Sequence, residues 1–296
     1  MQNSLRRTFP IFNELPITTV KDWVISIGKQ INFYIDDKMK KSIIERLRNA
    51  GCVFAEEETQ LLITEARTLD ALSTIVNLRI TGTPLEHILG WAEFCGIRIA
   101  VDPGVFVPRR RTEFLVQKAV ALSKPGAIVV DLCCGTGGVG VAIAKTLGWI
   151  ELYAVDIDPT AARCALRNVT SLGGHVFEGD LYEPLPVKLR GKVDILVANA
   201  PYVPTDAIKL LPQDARLHEP KVALDGGDDG LDIQRRVAEE ASLWLAPGGH
   251  LLVETSEMQA PQTFEIFSQY GLIPQLTHYD ELDATIVIGT NPIPLE

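Results

Sequence analysis

Over the first 90 residues the apolar positions recur at helical spacing. Thr19 with Asp22 forms a capping-box-like start for a segment through Trp23, Ile27 and Ile31. A second helix is predicted from Asp37 to Asn49, stopping before Gly51. A third, Ala55 to Arg67, opens with Glu56, Glu57 and Glu58, the charge that suits a helix N-terminus. A fourth covers Leu69 to Ile80, ahead of Gly82 and Pro84. Next, Phe94 to Val101 and Val105 to Val107 flank Asp102-Pro103-Gly104, which predicts a hairpin turning at that tripeptide.

From Phe114 onward short apolar runs alternate with helical stretches. Strands are predicted at Ala127–Asp131, Leu152–Asp156, His175–Phe177, Val193–Ala198, His250–Glu254, Leu272–Thr277 and Thr285–Ile288. Helices fit Val139–Leu147, Thr160–Val169, Asp232–Leu245 and Pro261–Tyr270, with Asp158-Pro159 as an N-cap followed by proline. Near-continuous apolar strands alternating with helices predict an α/β fold: a mostly parallel seven-stranded sheet covered on both faces, with the last two strands as an antiparallel edge. The expected organisation is a helical domain over 1–90, a β-hairpin linker over 91–112, and the sheet domain over 113–296.

Composition narrows the function. The 296 residues carry 28 Lys+Arg against 38 Asp+Glu, a formal charge of −10, and 46% are hydrophobic. Disordered, collagenous and disulfide-scaffold classes are excluded. The acidity counts against tight nucleic-acid binding, which needs phosphate-neutralising cations. Five cysteines with no Cys-x-x-Cys, and histidines that never reach His-x-x-x-His spacing, predict reduced thiols and no metal site. Met1 to Pro16 lacks an apolar signal core, and no uncharged apolar stretch approaches the ~18 residues of a membrane span. A soluble, cytoplasmic protein is expected.

The candidate chemistry starts where the strand ending at Asp131 meets Leu132-Cys133-Cys134-Gly135-Thr136-Gly137-Gly138-Val139-Gly140. Gly135, Gly137 and Gly140 satisfy the dinucleotide pattern G-x-G-x-x-G, and Asp156 stands where a ribose-binding acid would. Asp131 shifts the choice of cofactor. A carboxylate beside the loop would repel a pyrophosphate resting on the helix N-terminus. It suits a cofactor with an amino group and a sulfonium but no phosphate, and S-adenosylmethionine has both. Asp180, followed by Leu181, is placed for the adenine amino group, with Leu181 against the ring.

After Val193–Ala198 comes Asn199-Ala200-Pro201-Tyr202. An amide or exocyclic amine nitrogen is a poor nucleophile because its lone pair is delocalised. A site that methylates it must hold both N–H groups and aim the lone pair at the methyl. The Asn199 oxygen and the Ala200 carbonyl can accept the two N–H groups, Pro201 stiffens the turn, and Tyr202 offers a flat face to a planar group.

These residues resemble the HemK/PrmC-type protein-glutamine methyltransferases, which methylate a glutamine side-chain amide in peptide-chain release factors. The similarity spans nearly the whole chain, through Leu89-Gly90-x-x-Glu93-Phe94, Val101-Asp102-Pro103-Gly104-Val105, Pro108-Arg109-x-x-Thr112-Glu113, the glycine loop, Asn199 to Tyr202, and Glu219-Pro220 with Leu224. It implies a Rossmann-like class I S-adenosylmethionine methyltransferase sheet and a helical N-terminal domain that recruits a protein substrate carrying an exposed glutamine. It implies cofactor contacts at Cys133, Cys134, Gly135, Thr136, Gly137, Asp156, Leu181 and Asn199, and substrate-amide contacts at Asn199, Ala200, Pro201 and Tyr202.

The departures are Ala200 where the family has proline, Cys133 where it has the first loop glycine, and Arg111 where an acidic residue is common. With Val203-Pro204-Thr205 and Ala223-Leu224-Asp225-Gly226-Gly227 they resemble a side branch of the family, which leaves the target protein open. The run Arg109-Arg110-Arg111 reads as a solvated turn in preference to a contact for an acidic partner or RNA, His218 as loop structure, and Cys133 with Cys134 as small packing residues. Competing functions are methylation of an adenine exocyclic amine on nucleic acid, tailoring of a small molecule, non-catalytic cofactor binding, and nicotinamide-dependent redox chemistry.

Overall fold

The computed structural model describes residues 33–294. The helix predicted over Thr19 to Ile31 lies outside the described residues.

The chain divides into two compact units, Met1–Gly82 and Thr83–Glu296. In the first, α1 (Asp37–Asn49), α2 (Ala55–Glu65) and α3 (Leu69–Ile80) follow the predicted boundaries closely. Asp36 caps α1 by accepting from Met39 N, and Thr68 caps α3 by accepting from Ala71 N. Ile43 and Leu47, Leu62 and Ile63, and Leu72 and Val76 supply a small apolar core. Arg79 Nε and Nη2 donate to the two oxygens of Glu58 at 2.7 and 3.3 Å, so α2 and α3 are pinned by a bidentate pair.

The second unit opens with a short helix, α4 (Leu85–Leu89), and an antiparallel hairpin, β1 (Trp91–Phe94) and β2 (Ile97–Ala100). The hairpin turns at Cys95-Gly96, both at positive φ, and not at Asp102-Pro103-Gly104 as the sequence suggested. Asp102 to Gly104 does form a turn, closed by Val105 N donating to Asp102 O, but Val105–Val107 continues as unpaired chain. Asn168 fixes the end of the hairpin. It accepts from Ala100 N and donates to Ala100 O and to Thr136 O, which ties β2 to the glycine loop.

A helix the periodicity missed, α5 (Glu113–Leu122), leads into the sheet. Then follow β3 (Ile128–Leu132), α6 (Gly138–Leu147), β4 (Glu151–Asp156), α7 (Pro159–Val169), β5 (His175–Glu178), β6 (Val193–Ala198), α8 (Gln213–His218), α9 (Asp232–Trp244), β7 (Leu245–Thr255), α10 (Ala260–Gln269), β8 (Ile273–Tyr279) and β9 (Ala284–Thr290). The strand order is β5-β4-β3-β6-β7-β9-β8. Only β9 runs against its neighbours, inserted between β7 and β8.

Alternation along each strand builds two cores. Val129, Ile195, Val197 and Leu252 meet α5, α6 and α7 on one face. Val130, Leu196, Leu251 and Val253 meet α9 and α10 on the other, where Trp244 stacks on Tyr182. The direction of travel reverses between β3 and β6, and an open α/β sheet binds ligands outside the strand ends at that point.

Phe267 of α10 is fully buried in the second core. Phe267→Ala is expected to cost about 3–5 kcal/mol through transfer and cavity terms. Urea unfolding checks this: the midpoint should fall with the slope unchanged.

Candidate active site

At the reversal point the loop after β3 packs tightly on its neighbours. Cys134 N donates to Val155 O and Gly137 N to Cys134 O. Gly137 caps α6 at φ +71°, and a Cβ there would sit 2.8 Å from Val169 Cγ2, so only glycine fits. Cys133 adopts the left-handed conformation, φ +53°, at a cost of about 1–2 kcal/mol for a residue with a Cβ. Burial pushes the Cys133 and Cys134 thiols up, away from the thiolate, which suits packing.

Asp131 is almost fully buried beneath this loop, its Oδ2 accepting from Gly140 N at 2.9 Å. A Cβ on Gly140 would stand 2.7 Å from Leu152 Cδ1 and 3.2 Å from Asp131 Oδ2, so the absent side chain lets helix α6 close on the carboxyl. Burial pushes the Asp131 carboxyl up to about 8. The Gly140 N–H opposes that rise, and the neighbouring Asp156 adds to it. Asp156 accepts from Gly135 N at 2.7 Å and Asp158 N at 2.9 Å, and each oxygen keeps a further lone pair. Burial raises its pKa as well.

Asp131, Gly135, Asp156, Asp180, Leu181 and Asn199 all line one cavity. Cys133, Cys134 and Thr136 line it too, and Gly137 stands outside it as the helix cap. Asp180 is not a free carboxylate, because Oδ2 accepts from Arg236 Nη2 of α9 at 2.8 Å. Nothing in the local sequence signals Arg236, which reaches the cavity from 56 residues away.

The tetrapeptide after β6 lies between this cavity and a second, open cleft. Asn199 and Pro201 line both, while Ala200 and Tyr202 line the cleft together with Arg109 and Arg111. Asn199 Nδ2 donates to Thr112 Oγ1 at 3.3 Å. Tyr202 O accepts from Gln259 Nε2 at 3.0 Å, and Val203 pairs with the 224–226 segment, so the backbone of the tetrapeptide is anchored beyond its proline.

The arginine run is solvated only in part, because Arg109 and Arg111 each pair with a buried glutamate. Arg109 Nη2 donates to both oxygens of Glu219, at 2.7 and 2.6 Å, and the Glu219 carboxyl is 1% exposed. Burial pushes that carboxyl up, and Arg109 and Val107 N pull it back. Arg111 Nε donates to buried Glu254 at 3.2 Å while its side chain stays 45% exposed, and Arg110 is exposed as well. His218 is the last residue of α8, on a helix and not in a loop as the sequence suggested. Among the described residues, no group of three or more His, Cys, Asp or Glu could hold a metal ion.

Residues 96–280 match the family model described as the methyltransferase small domain. The release factor glutamine methyltransferase of Geobacter sulfurreducens is 35% identical over 82% of this chain and 92% of its own length. That of Clostridium acetobutylicum is 31% identical over 88% and 94%. The chain belongs to the release factor glutamine methyltransferase family. It is an S-adenosylmethionine-dependent methyltransferase. Another relative, a 4-amino-L-phenylalanine/4-methylamino-L-phenylalanine methyltransferase of Streptomyces pristinaespiralis, is 36% identical over 66% of this chain and 69% of its own. A methyltransferase structure from Pyrococcus furiosus covers 67% of this chain and 90% of its own with a TM-score of 0.52. At 16% identity, it shares the fold alone.

The cavity suits this methyltransferase's cofactor. A buried carboxyl raised to about 8, with no cation beside it among the described residues, would be stabilised by a ligand carrying an ammonium group.

Arg109→Ala should leave Glu219 buried and unpaired, at a cost of about 3 kcal/mol, the low end for a buried pair because the guanidinium is a third exposed. Chemical denaturation of Arg109→Ala and of the double variant with Glu219→Gln checks this. The double variant should recover most of the loss, and an additive loss would refute the pairing.

Proposed function

We propose that this methyltransferase transfers the methyl group to the side-chain amide nitrogen of a glutamine in a protein substrate, with a peptide-chain release factor as the target. The observation that carries the reading is the Asn199 carboxamide. With Nδ2 engaged by Thr112, Oδ1 is left to accept from an acceptor N–H at the junction of the two cavities.

In this reading Asp131 holds the ammonium of the cofactor, Asp156 its ribose hydroxyls, and Leu181 and Asp180 the adenine end. Arg236 shares the Asp180 carboxylate there. Bound S-adenosylmethionine supplies an electrophilic methyl on a sulfonium. The chain supplies orientation. Asn199 Oδ1 and the Ala200 carbonyl accept the two amide N–H groups, and the Tyr202 ring covers the amide plane. Fixing those hydrogens aims the nitrogen lone pair along the transfer line, worth about 10²–10³ in rate per placed group. No strong base is required before transfer, and the proton leaves after the bond to carbon forms.

The helical first unit serves in this proposal as a recruiting domain, and a release-factor target puts the enzyme in the cytoplasm. Among the described residues no helix is long and apolar enough to cross a membrane. The Streptomyces pristinaespiralis relative favours one second reading, an arylamine of small-molecule size, because the same clamp fits any planar NH₂.

Radiolabelled S-adenosylmethionine with purified release factors, followed by mass spectrometry, tests the substrate. Label on a glutamine is expected, and label on small molecules from a lysate would select the second reading. Asn199→Ala should lower transfer on the order of 10²–10³-fold, and transfer near the parental rate would remove the clamp.

The cofactor assignment predicts a pH dependence. Below about 8 the Asp131 carboxyl is mostly protonated, so binding a cation must expel that proton. Affinity for S-adenosylmethionine should therefore weaken as pH falls from 8 to 6. Calorimetry at pH 7 in buffers of different ionisation enthalpy should register proton release, lost in Asp131→Asn. No release in the parent would place the ammonium elsewhere.

A further inference from the structure

The end of the cofactor cavity assigned above to adenine is built from two elements far apart in sequence. Gly179-Asp180-Leu181 follows β5, and α9 adds Ile233 and Arg236, three residues apart and so on one helix face. The first segment is tightly constrained. Gly179 N donates to Asp156 O at 3.0 Å, and a Cβ on Gly179 would stand 2.9 Å from Pro184 Cγ. Leu181 takes the left-handed conformation, φ +47°, which a residue with a Cβ holds only where its surroundings impose it. The backbone around Asp180 is thereby fixed. Its side chain is 30% exposed and still has two bonds to turn about.

Arg236 removes that freedom. Its Nη2 donates to Asp180 Oδ2 at 2.8 Å, while the acid four residues before it on the helix, Asp232, accepts from Arg235. Asp180 Oδ1 has no hydrogen-bond partner among the described residues. We propose that Arg236 is a positioning residue for the purine end of the cofactor: by holding Asp180 Oδ2 it keeps Oδ1 turned to the cavity, so that the site selects a 6-amino purine over a 6-oxo purine. This rests on the reading above that Asp180 meets the adenine end.

A carboxylate oxygen accepts and has no hydrogen to give. A 6-amino group donates to it, whereas a 6-oxo group sets acceptor against acceptor. A fixed carboxylate enforces that difference. One free to rotate swings its charge toward solvent and relieves the clash. Arginine suits the task better than lysine, because its planar fork holds direction as well as charge. The pair is only partly buried, with the Arg236 side chain 48% exposed, so it adds little to the stability of the fold. Its effect therefore shows in ligand choice.

The test is calorimetric binding of S-adenosylhomocysteine and S-inosylhomocysteine to the full chain. The two differ only in the purine, 6-amino against 6-oxo. They carry the same charges, so the ratio of their dissociation constants cancels any general effect of losing the arginine charge. The parent should prefer the adenosyl compound about 10- to 100-fold. Arg236→Ala should weaken the adenosyl compound about tenfold and leave the inosyl compound nearly unchanged, and Arg236→Lys should restore part of the preference. In Asp180→Asn the ratio should fall near one, because a carboxamide can accept from the amine or donate to the oxo group. Adding Arg236→Ala to Asp180→Asn should then change the ratio no further, since the two residues act as one unit. If Asp180→Asn abolishes the preference while Arg236→Ala keeps the parent ratio, the role of Arg236 is overturned. A parent without preference, or an Asp180→Asn variant that keeps it, overturns the adenine assignment of Asp180 on which the proposal rests.

Discussion

Carboxylates withdrawn from water around the carboxyl ends of the strands organise the site, and each requires its own compensation. A buried carboxylate without a partner is costly enough that it takes up a proton or draws in a donor. Asp131 draws in the N-terminus of α6 through Gly140 N–H, which is possible only because residue 140 has no side chain. Asp156 takes the backbone N–H groups of Gly135 and Asp158, and so fixes both the glycine loop and the start of α7. Glu219 takes Arg109, and Glu254 takes Arg111 and the Tyr202 hydroxyl. The loops are therefore held by the same groups that a ligand would address. Cofactor geometry and loop geometry become one problem.

Much of this was legible along the chain, and for a local reason. Alternation and helix capping depend on neighbours in sequence, so Val193–Ala198, α1 and α3 were read with their observed bounds. The acids after three strands were visible because each follows an apolar run. Glu254 carried the same signal, ending the predicted strand His250–Glu254, yet it was not read as a site residue. Its partners lie 143 and 52 residues away and have no local signature. The hairpin turn was misplaced for a related reason. Asp-Pro-Gly is the stronger turn tripeptide, but Cys95 takes positive φ, and β1 pairs from Trp91 to Phe94 around it. Asp180 lines the cavity. That Arg236 shares it depends on how α9 lies over the sheet, which periodicity cannot specify.

Alanine at position 200 gives the turn after β6 one restraint fewer than a proline there would. Other bonds take up part of that task. Pro201 still limits the backbone of Ala200 to extended geometry. Gln259 donates to both Tyr202 O and Asp229 O, and the Val203 bridge to Asp225 closes the far side. Ala200 is itself 1% exposed, packed among the residues of the second core. The turn is held from outside rather than by its own ring.

The charge balance bears on what the cleft can accept. A nucleic-acid acceptor requires cations free to neutralise phosphates. The two arginines that line the cleft each face a buried glutamate, so their charge is largely spent within the protein. Besides these pairs the cleft is lined by Asp214 and by the Asn199 and Tyr202 side chains. That surface matches an uncharged planar amide better than a phosphodiester chain. The net charge of −10 points the same way. It also sets a contrast across the tetrapeptide: Asp131 and Asp156 in the first cavity are held by backbone N–H groups, whereas Glu219 and Glu254 beside the cleft are paired with arginines. Methyl transfer from a sulfonium to an amide moves positive charge from the first side toward the second.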